Sequence, residues 1–256
     1  FGALIIGDEI LSGKRQDKHL ARAIEILGAR GLELDWAQYI GDVPERITAA
    51  LRLSFASSDV VFSFGGIGAT PDDHTRQCAA AALGRGLEPH PEAVAMLVER
   101  FGKDVNAKRL IMATFPAGSA IVPNPYNKIA GFSVGSHYFL PGFPEMAWPM
   151  MEWVLDTHYA HLFHKVASSE ETIVVHQAGE SDLLDAMNAV LRDFAQVKLS
   201  SLPQFVANGR IIELSIRGEP SQVPGAMQYF KGEVVPPLIS VEVKVVDKSI
   251  LEKEKQ

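Results

Sequence analysis

The chain has 256 residues, 47% of them hydrophobic, and a formal net charge of −7. That length can build one large core or two modest ones, and the negative balance argues against nucleic acid or an anionic membrane surface as a partner. The lone cysteine, Cys78, excludes an intramolecular disulfide and a cysteine-rich zinc site. No apolar run approaches the roughly 20 residues of a membrane span, and no signal-like segment opens the chain, so a cytoplasmic protein is expected.

Ala3 to Ile6 reads as a strand that empties into Gly7-Asp8-Glu9-Ile10-Leu11-Ser12-Gly13. Leu20, Ala23, Ile24 and Leu27 then follow helical spacing until Gly28 and Gly31 stop them. Leu32 to Ile40 alternates as a strand and ends in Gly41-Asp42-Val43-Pro44, where Pro44 opens a helix expected to be capped by Asp42. Ile47, Ala50, Leu51 and Phe55 give that helix one apolar face. Asp59 to Phe64 is a nearly continuous apolar strand of the kind buried between helices. Gly65-Gly66-Ile67-Gly68-Ala69-Thr70-Pro71-Asp72-Asp73-His74-Thr75 follows it and leads into a helix over 76–83.

Strands alternating with amphipathic helices predict an α/β unit, a mostly parallel sheet covered on both faces in three α/β/α layers. Such sheets bind ligands outside the carboxyl ends of their strands. Three successive strand ends carry Asp8/Glu9, Asp42 and Asp72/Asp73, which reads as one site. A glycine turn between strand and helix offers backbone N–H groups to an anion. Carboxylates beside a phosphate require a bridging divalent cation, Mg²⁺ or Mn²⁺/Co²⁺. No Gly-Lys-Ser/Thr follows the glycines, so this is not a Walker-type loop. The residue types alone equally suit a plain turn whose Asp72 and Asp73 cap the next helix.

Pro91 to Phe101 reads as a further helix, and residues 103–127 as a polar, loop-rich stretch offering Asn106, Lys108 and Arg109. A hairpin is expected around Gly135-Ser136, then a turn at Pro141-Gly142-Phe143-Pro144-Glu145 opening a helix to about Phe163, interrupted at Pro149. After Lys165 the pattern changes. Strands over 171–176 and 210–217, helices over 180–194 and within 220–230, and a last strand over 239–246 predict a small α+β unit. The expected division is 1–165 and 166–256. Leu183, Leu184, Met187, Leu191 and Phe194 are read as the inward face of the 180–194 helix, and 251–256 as a frayed tail.

The motifs at 7–13, 41–47 and 65–75 together resemble the molybdopterin-binding domain of molybdenum-cofactor biosynthesis proteins, of CinA (the competence/damage-inducible protein) and of eukaryotic FAD synthase. Gly13-Lys14-Arg15-Gln16-Asp17 and Tyr138 to Met146 look closest to the CinA and FAD-synthase branch, and residues 170–218 resemble the small KH-type domain of CinA. This chain has Gly68-Ala69-Thr70 where the family usually has Gly-Pro-Thr, a change in loop stiffness more than in contacts. The resemblance implies one of two activities. One is metal-dependent hydrolysis of nucleotide pyrophosphates such as ADP-ribose or FAD, releasing AMP. The alternative is molybdopterin binding or adenylyl transfer to molybdopterin. It also implies a homo-oligomer, dimer or trimer, with a small-molecule nucleotide or pterin as ligand. On this reading Asp72, Asp73 and Glu9 hold the metal, and Asp42 and Lys108 join the two aspartates in catalysis. Gly7, Asp8, Glu9, Ser12, Gly13, Gly65, Gly66, Gly68, Thr70, Thr75, Asn106, Pro141, Gly142 and Glu145 bind the ligand. The small domain lacks the G-x-x-G clamp of an RNA-binding KH unit, so it reads as an oligomerisation or lid element.

Overall fold

The computed structural model describes residues 1–164, 169–176, 178–206, 209–234 and 241–244. The chain divides into two compact units, Phe1–His164 and Lys165–Gln256.

The first unit opens with β1 (Gly2–Ile6), α1 (Asp8–Leu11), α2 (His19–Gly28), β2 (Trp36–Ile40), α3 (Pro44–Phe55), β3 (Val61–Phe64) and α4 (Thr75–Leu83). It continues with β4 (Leu87–Pro89), α5 (Pro91–Phe101), α6 (Ala107–Leu110), β5 (Thr114–Pro116), β6 (Ala120–Val122), β7 (Gly131–Val134), β8 (His137–Leu140) and α7 (Pro144–Val154). Six strands form one sheet in the order β2-β1-β3-β8-β7-β6, and β4 pairs with β5 alone. The pairs β1/β2, β1/β3 and β3/β8 are parallel, whereas β7/β8 and β6/β7 are antiparallel.

Alternation along β1 sorts its side chains into two cores. Leu4 and Ile6 join Ile47 and Leu51 of α3 and Ala79 of α4 on one face. Ala3 and Ile5 join Ile26 and Leu27 of α2 and Met150, Met151 and Val154 of α7 on the other. The three α/β/α layers follow from this division. Pro opens α3, α5 and α7, where its missing N–H has no helical partner to lose. The hairpin of β7 and β8 turns at Gly135 and Ser136, with Val134 opposite His137.

Several expectations are corrected. Pro149 does not interrupt α7, which runs through it to Val154 before a π-type turn at Leu155–Tyr159. The carbonyl that Pro149 frees belongs to Glu145, which is exposed and can turn to water. Asp42 does not cap α3, whose N-cap position is Val43, because its carboxylate is engaged by α1 instead. Nor does Asp72 or Asp73 cap α4, whose N-cap position is His74.

The second unit is β9 (Ser169–His176), α8 (Glu180–Asp193), β10 (Val197–Val206), β11 (Gly209–Gly218), α9 (Val223–Val234) and β12 (Val241–Lys244). Its antiparallel sheet has the order β10-β11-β9-β12. This small α+β unit therefore has the β-α-β-β-α-β connectivity of a split βαβ fold. Leu183, Ala186, Met187 and Val190 of α8 pack with Leu214 and Ile216 of β11 and Met227 and Phe230 of α9. Leu184 and Leu191, read as inward, are about half exposed at 53% and 48%, so the apolar stripe is narrower and lies one position round. β10 was not expected from the sequence: beyond Val197 its residues are mostly exposed, and Pro203 sits on this edge strand. The tail over 251–256 and the ends of the last expected strand lie outside the described residues.

Candidate active site

The carboxyl ends of β1, β2, β3 and β8 empty into one cleft of about 410 Å³. The turn after β3 forms its floor. Gly65 and Gly66 have φ values of +102° and +69°, a region that favours glycine. A β-carbon on Gly65 would run into Ile6 O, and one on Gly66 into Thr75 Oγ1. Gly65 N–H donates to Leu140 O at 3.0 Å and Thr70 N–H to Asp73 Oδ2 at 2.8 Å. Among the hydrogen bonds of the described residues, the N–H groups of residues 66–69 between them are left for a ligand.

The turn is held from below. Buried Thr75 donates through Oγ1 to Gly65 O at 3.0 Å and through its N–H to Gly66 O at 3.0 Å. Arg76, 2% exposed, donates to Gly68 O and to Ile111 O. Burial pulls its guanidinium below the ordinary arginine range, opposed by the charge of Asp73. A buried cation under four spare N–H groups makes the turn attractive to an anion.

The acids stand on the cleft wall. Asp42 Oδ2 accepts from Asp8 N–H at 2.8 Å, and Asp8 Oδ1 accepts from Asp42 N–H at 3.1 Å. This reciprocal pair locks the loops after β1 and β2 together. Partial burial lifts the Asp42 carboxyl above the usual carboxylate range, and the charges of Asp8, Glu9 and Asp72 add to the lift against the Asp8 N–H bond. Asp73 Oδ2 accepts from Thr70 N–H and, at 2.5 Å, from Thr70 Oγ1. The Asp72 carboxyl is held below the usual carboxylate range by the polar groups of this turn, Thr70 first and its own backbone N–H next, with His74 adding to them. Among the described residues no group of three or more His, Cys, Asp or Glu converges into a ready metal cage. The oxygen donors suit a hard divalent cation, and such an ion would draw the rest of its shell from phosphate oxygens and water.

A family model described as a probable molybdopterin binding domain matches residues 2–161. The chain belongs to that family. It is similar to a CinA-like protein of Anaeromyxobacter dehalogenans, with 32% identity over 198 residues, 74% of this chain and 48% of the relative. A CinA-like protein of Geotalea daltonii is 32% identical over 222 residues, 84% of this chain and 52% of that one. The chain thus spans about half the length of these curated relatives. Among solved structures, the CinA protein of Thermoplasma acidophilum, a protein of unknown function, is 28% identical with a TM-score of 0.55. That match covers 60% of this chain and 96% of the other. The chain is a CinA-like member of the molybdopterin-binding family, as its motifs indicate.

In this molybdopterin-binding domain, Gly7, Glu9, Asp42, Gly65, Gly66, Gly68, Thr70, Asp72, Asp73, Pro141 and Gly142 all line the cleft. Asp8 and Thr75 stand behind it and hold the loops. Ser12 and Gly13 close the turn after α1 and do not line it. Glu145 lines a smaller adjoining compartment of about 200 Å³. Lys108 and Asn106 are not on the cleft wall. Asn106 caps α6, its side chain accepting from Arg109 N–H at 3.1 Å, and Lys108 on that short helix is exposed. Met112, Asn124 and Asn127 also line the cleft without having been singled out from the sequence, and Arg15 lines it, named there only within a motif. Asn124 is 1% exposed and binds Asn127 Oδ1 and Ile129 O through Nδ2, at 2.8 and 3.0 Å. The signal was present as Asn124-Pro125-Tyr126-Asn127, a turn tetrapeptide rich in amides.

Proposed function

We propose that the cleft binds a nucleoside diphosphate-linked metabolite with a divalent cation and hydrolyses its pyrophosphate, releasing AMP from ADP-ribose or FAD. The observation that supports it most is the meeting, in one cleft, of a glycine turn with spare N–H groups and the carboxylates of Asp42 and Asp72. Phosphoryl transfer to water needs positioning and charge stabilisation more than covalent chemistry from the protein. The turn at 66–69 orients the phosphates by backbone donors and takes charge as it develops on them. Asp72, Asp73 and Glu9 are the residues that would hold the cation. Bound there, Mg²⁺, Mn²⁺ or Co²⁺ supplies charge neutralisation and lowers the pKa of water. Asp42 Oδ2 is occupied by Asp8 N–H, so Oδ1 is the atom left to take a proton from the attacking water. Its raised carboxyl pKa brings it nearer to that task.

A second reading keeps the site and changes the ligand. Ile67, Met112, Ile129 and Met146 give the cleft an apolar side that suits a flat ring, and the family model's description names molybdopterin. The chain would then bind molybdopterin, or adenylylate it using ATP, and would leave ADP-ribose untouched. The deciding assay is AMP release from ADP-ribose and from FAD with Mg²⁺, Mn²⁺ or Co²⁺ and with EDTA. Turnover that needs metal and falls at least about a hundredfold in Asp72→Ala is the expected result. No turnover under any metal would move the assignment to the pterin.

A further inference from the structure

The large cleft and its smaller neighbour share Ile6, Glu9, Arg15 and Gly142. The small compartment is otherwise walled by Ile5, Phe64, Pro144 and buried His19, with Gln16, Lys18 and Glu145 among its polar lining. Arg15 lines both compartments, so a ligand spanning the two lies within its reach.

Charge singles out the same residue. Glu9, Asp42, Asp72 and Asp73 line the large cleft, and among the described residues Arg15 is the only Lys or Arg that lines it. One divalent cation offsets two of the four carboxylates and leaves a diphosphate facing a surplus of negative charge. A guanidinium at the junction is the remaining local source of positive charge on the wall, and its planar fork matches two phosphate oxygens at once.

Arg15 is also partly preorganised. Gly13, at φ +72°, turns the chain back so that Arg15 N–H donates to Glu9 O at 2.9 Å. Its guanidinium carbon lies 5.4 Å from the centre of the Phe143 ring, a cation–π distance. Phe143 is itself on the cleft wall. The side chain is thus stacked at the rim.

Resting on the nucleotide reading above, we propose that Arg15 counts phosphates. It clamps the second phosphate of a nucleoside diphosphate where the two compartments meet, while the first phosphate sits on the glycine turn. A nucleoside monophosphate reaches the turn and leaves Arg15 unused. The residue therefore sets the preference for diphosphate-linked substrates and holds the half of the substrate that leaves with the second phosphate.

The test is calorimetric titration of the full chain with ADP and with AMP, each with Mg²⁺, for wild type, Arg15→Ala and Arg15→Lys. Arg15 is exposed, and unchanged melting curves would show that the variants fold. Wild type is expected to bind ADP more tightly than AMP. Arg15→Ala should weaken ADP by about ten- to hundredfold and AMP by less than about fivefold, with Arg15→Lys between because it keeps charge and loses the fork. Equal ADP affinity in wild type and Arg15→Ala overturns the proposal while leaving the nucleotide reading intact. A wild type that binds neither ADP nor AMP overturns both. Tight ADP binding that depends on Arg15, without any hydrolysis, upholds the clamp and removes only the hydrolytic reading.

Discussion

The two units of this chain use buried polarity differently. In the second, Thr172 and Ser215 face each other across β9 and β11, and their hydroxyls bond at 2.7 Å inside the sheet. Each satisfies the other and nothing is offered outward. In the first, Thr75 and Arg76 are buried just as deeply, and their bonds go to the backbone carbonyls of Gly65 and Gly68. That spends the carbonyl side of the turn and leaves its N–H side free. Topology explains why this happens there. Parallel strands β1, β2 and β3 all point the same way, so their exits gather at one edge. In the second sheet β9 and β10 run one way and β11 and β12 the other, so the strand exits are divided between opposite ends.

The sharpest way to break this contrast is to spoil the turn without touching an acid. Gly65→Ala forces a side chain into positive φ and against Ile6 O. AMP release is expected to fall by about a hundredfold or more, since small misplacements of a site have effects of that order. Activity within a few-fold of wild type would show that the turn does not position the phosphates. Leu214→Ala is the counterpart in the second unit, where that side chain is fully buried. It should cost about 2–5 kcal/mol in the stability of that unit. AMP release should be retained at temperatures below its melting transition. Calorimetry and the same assay check both halves.

Gly65-Gly66 and the acids at three strand ends were legible in the sequence because their roles are local. A glycine after an apolar strand marks a backbone conformation, and a carboxylate one or two residues past a strand end must lie at the sheet edge. Asn106, Lys108, Asn124 and Asn127 share one polar stretch, and sequence alone does not say which of them returns to the edge. That depends on the path from α5 through β5 and β6, where each strand is three residues long and carries little periodic signal. Asp42 failed as a helix cap for a related reason: its true partner, Asp8 N–H, lies 34 residues away.

Acid should act on the first unit through His137. This residue is 4% exposed in β8, with Nε2 3.0 Å from Ser54 Oγ. Ser54 Oγ donates to Leu51 O, so the imidazole is the donor and carries its proton on Nε2. Burial pushes its pKa down from 6.5 to about 4, against the opposing pull of Ser54 and Asp59. The folded state therefore resists a proton that the unfolded chain accepts below 6.5. Stability is full above that pH and is lost as pH falls towards 4, by up to about 3 kcal/mol. Denaturant melts between pH 7 and 4 should show this slope, and His137→Phe should flatten it. An unchanged slope in the variant would place the acid sensitivity elsewhere.

The smallest expected effect is the most useful for the site boundary. Lys108 was read from sequence as a catalytic cation, yet it stands on the exposed side of a four-residue helix away from the cleft wall. Asn106→Ala should cost about 1 kcal/mol as a lost cap and little in activity. Lys108→Ala should leave kcat/KM within about twofold of wild type, in keeping with the small effects of exposed charges. A loss of tenfold or more would mean that the 103–111 stretch swings onto the bound substrate. The cation facing the phosphates would then come from α6 as well as from Arg15.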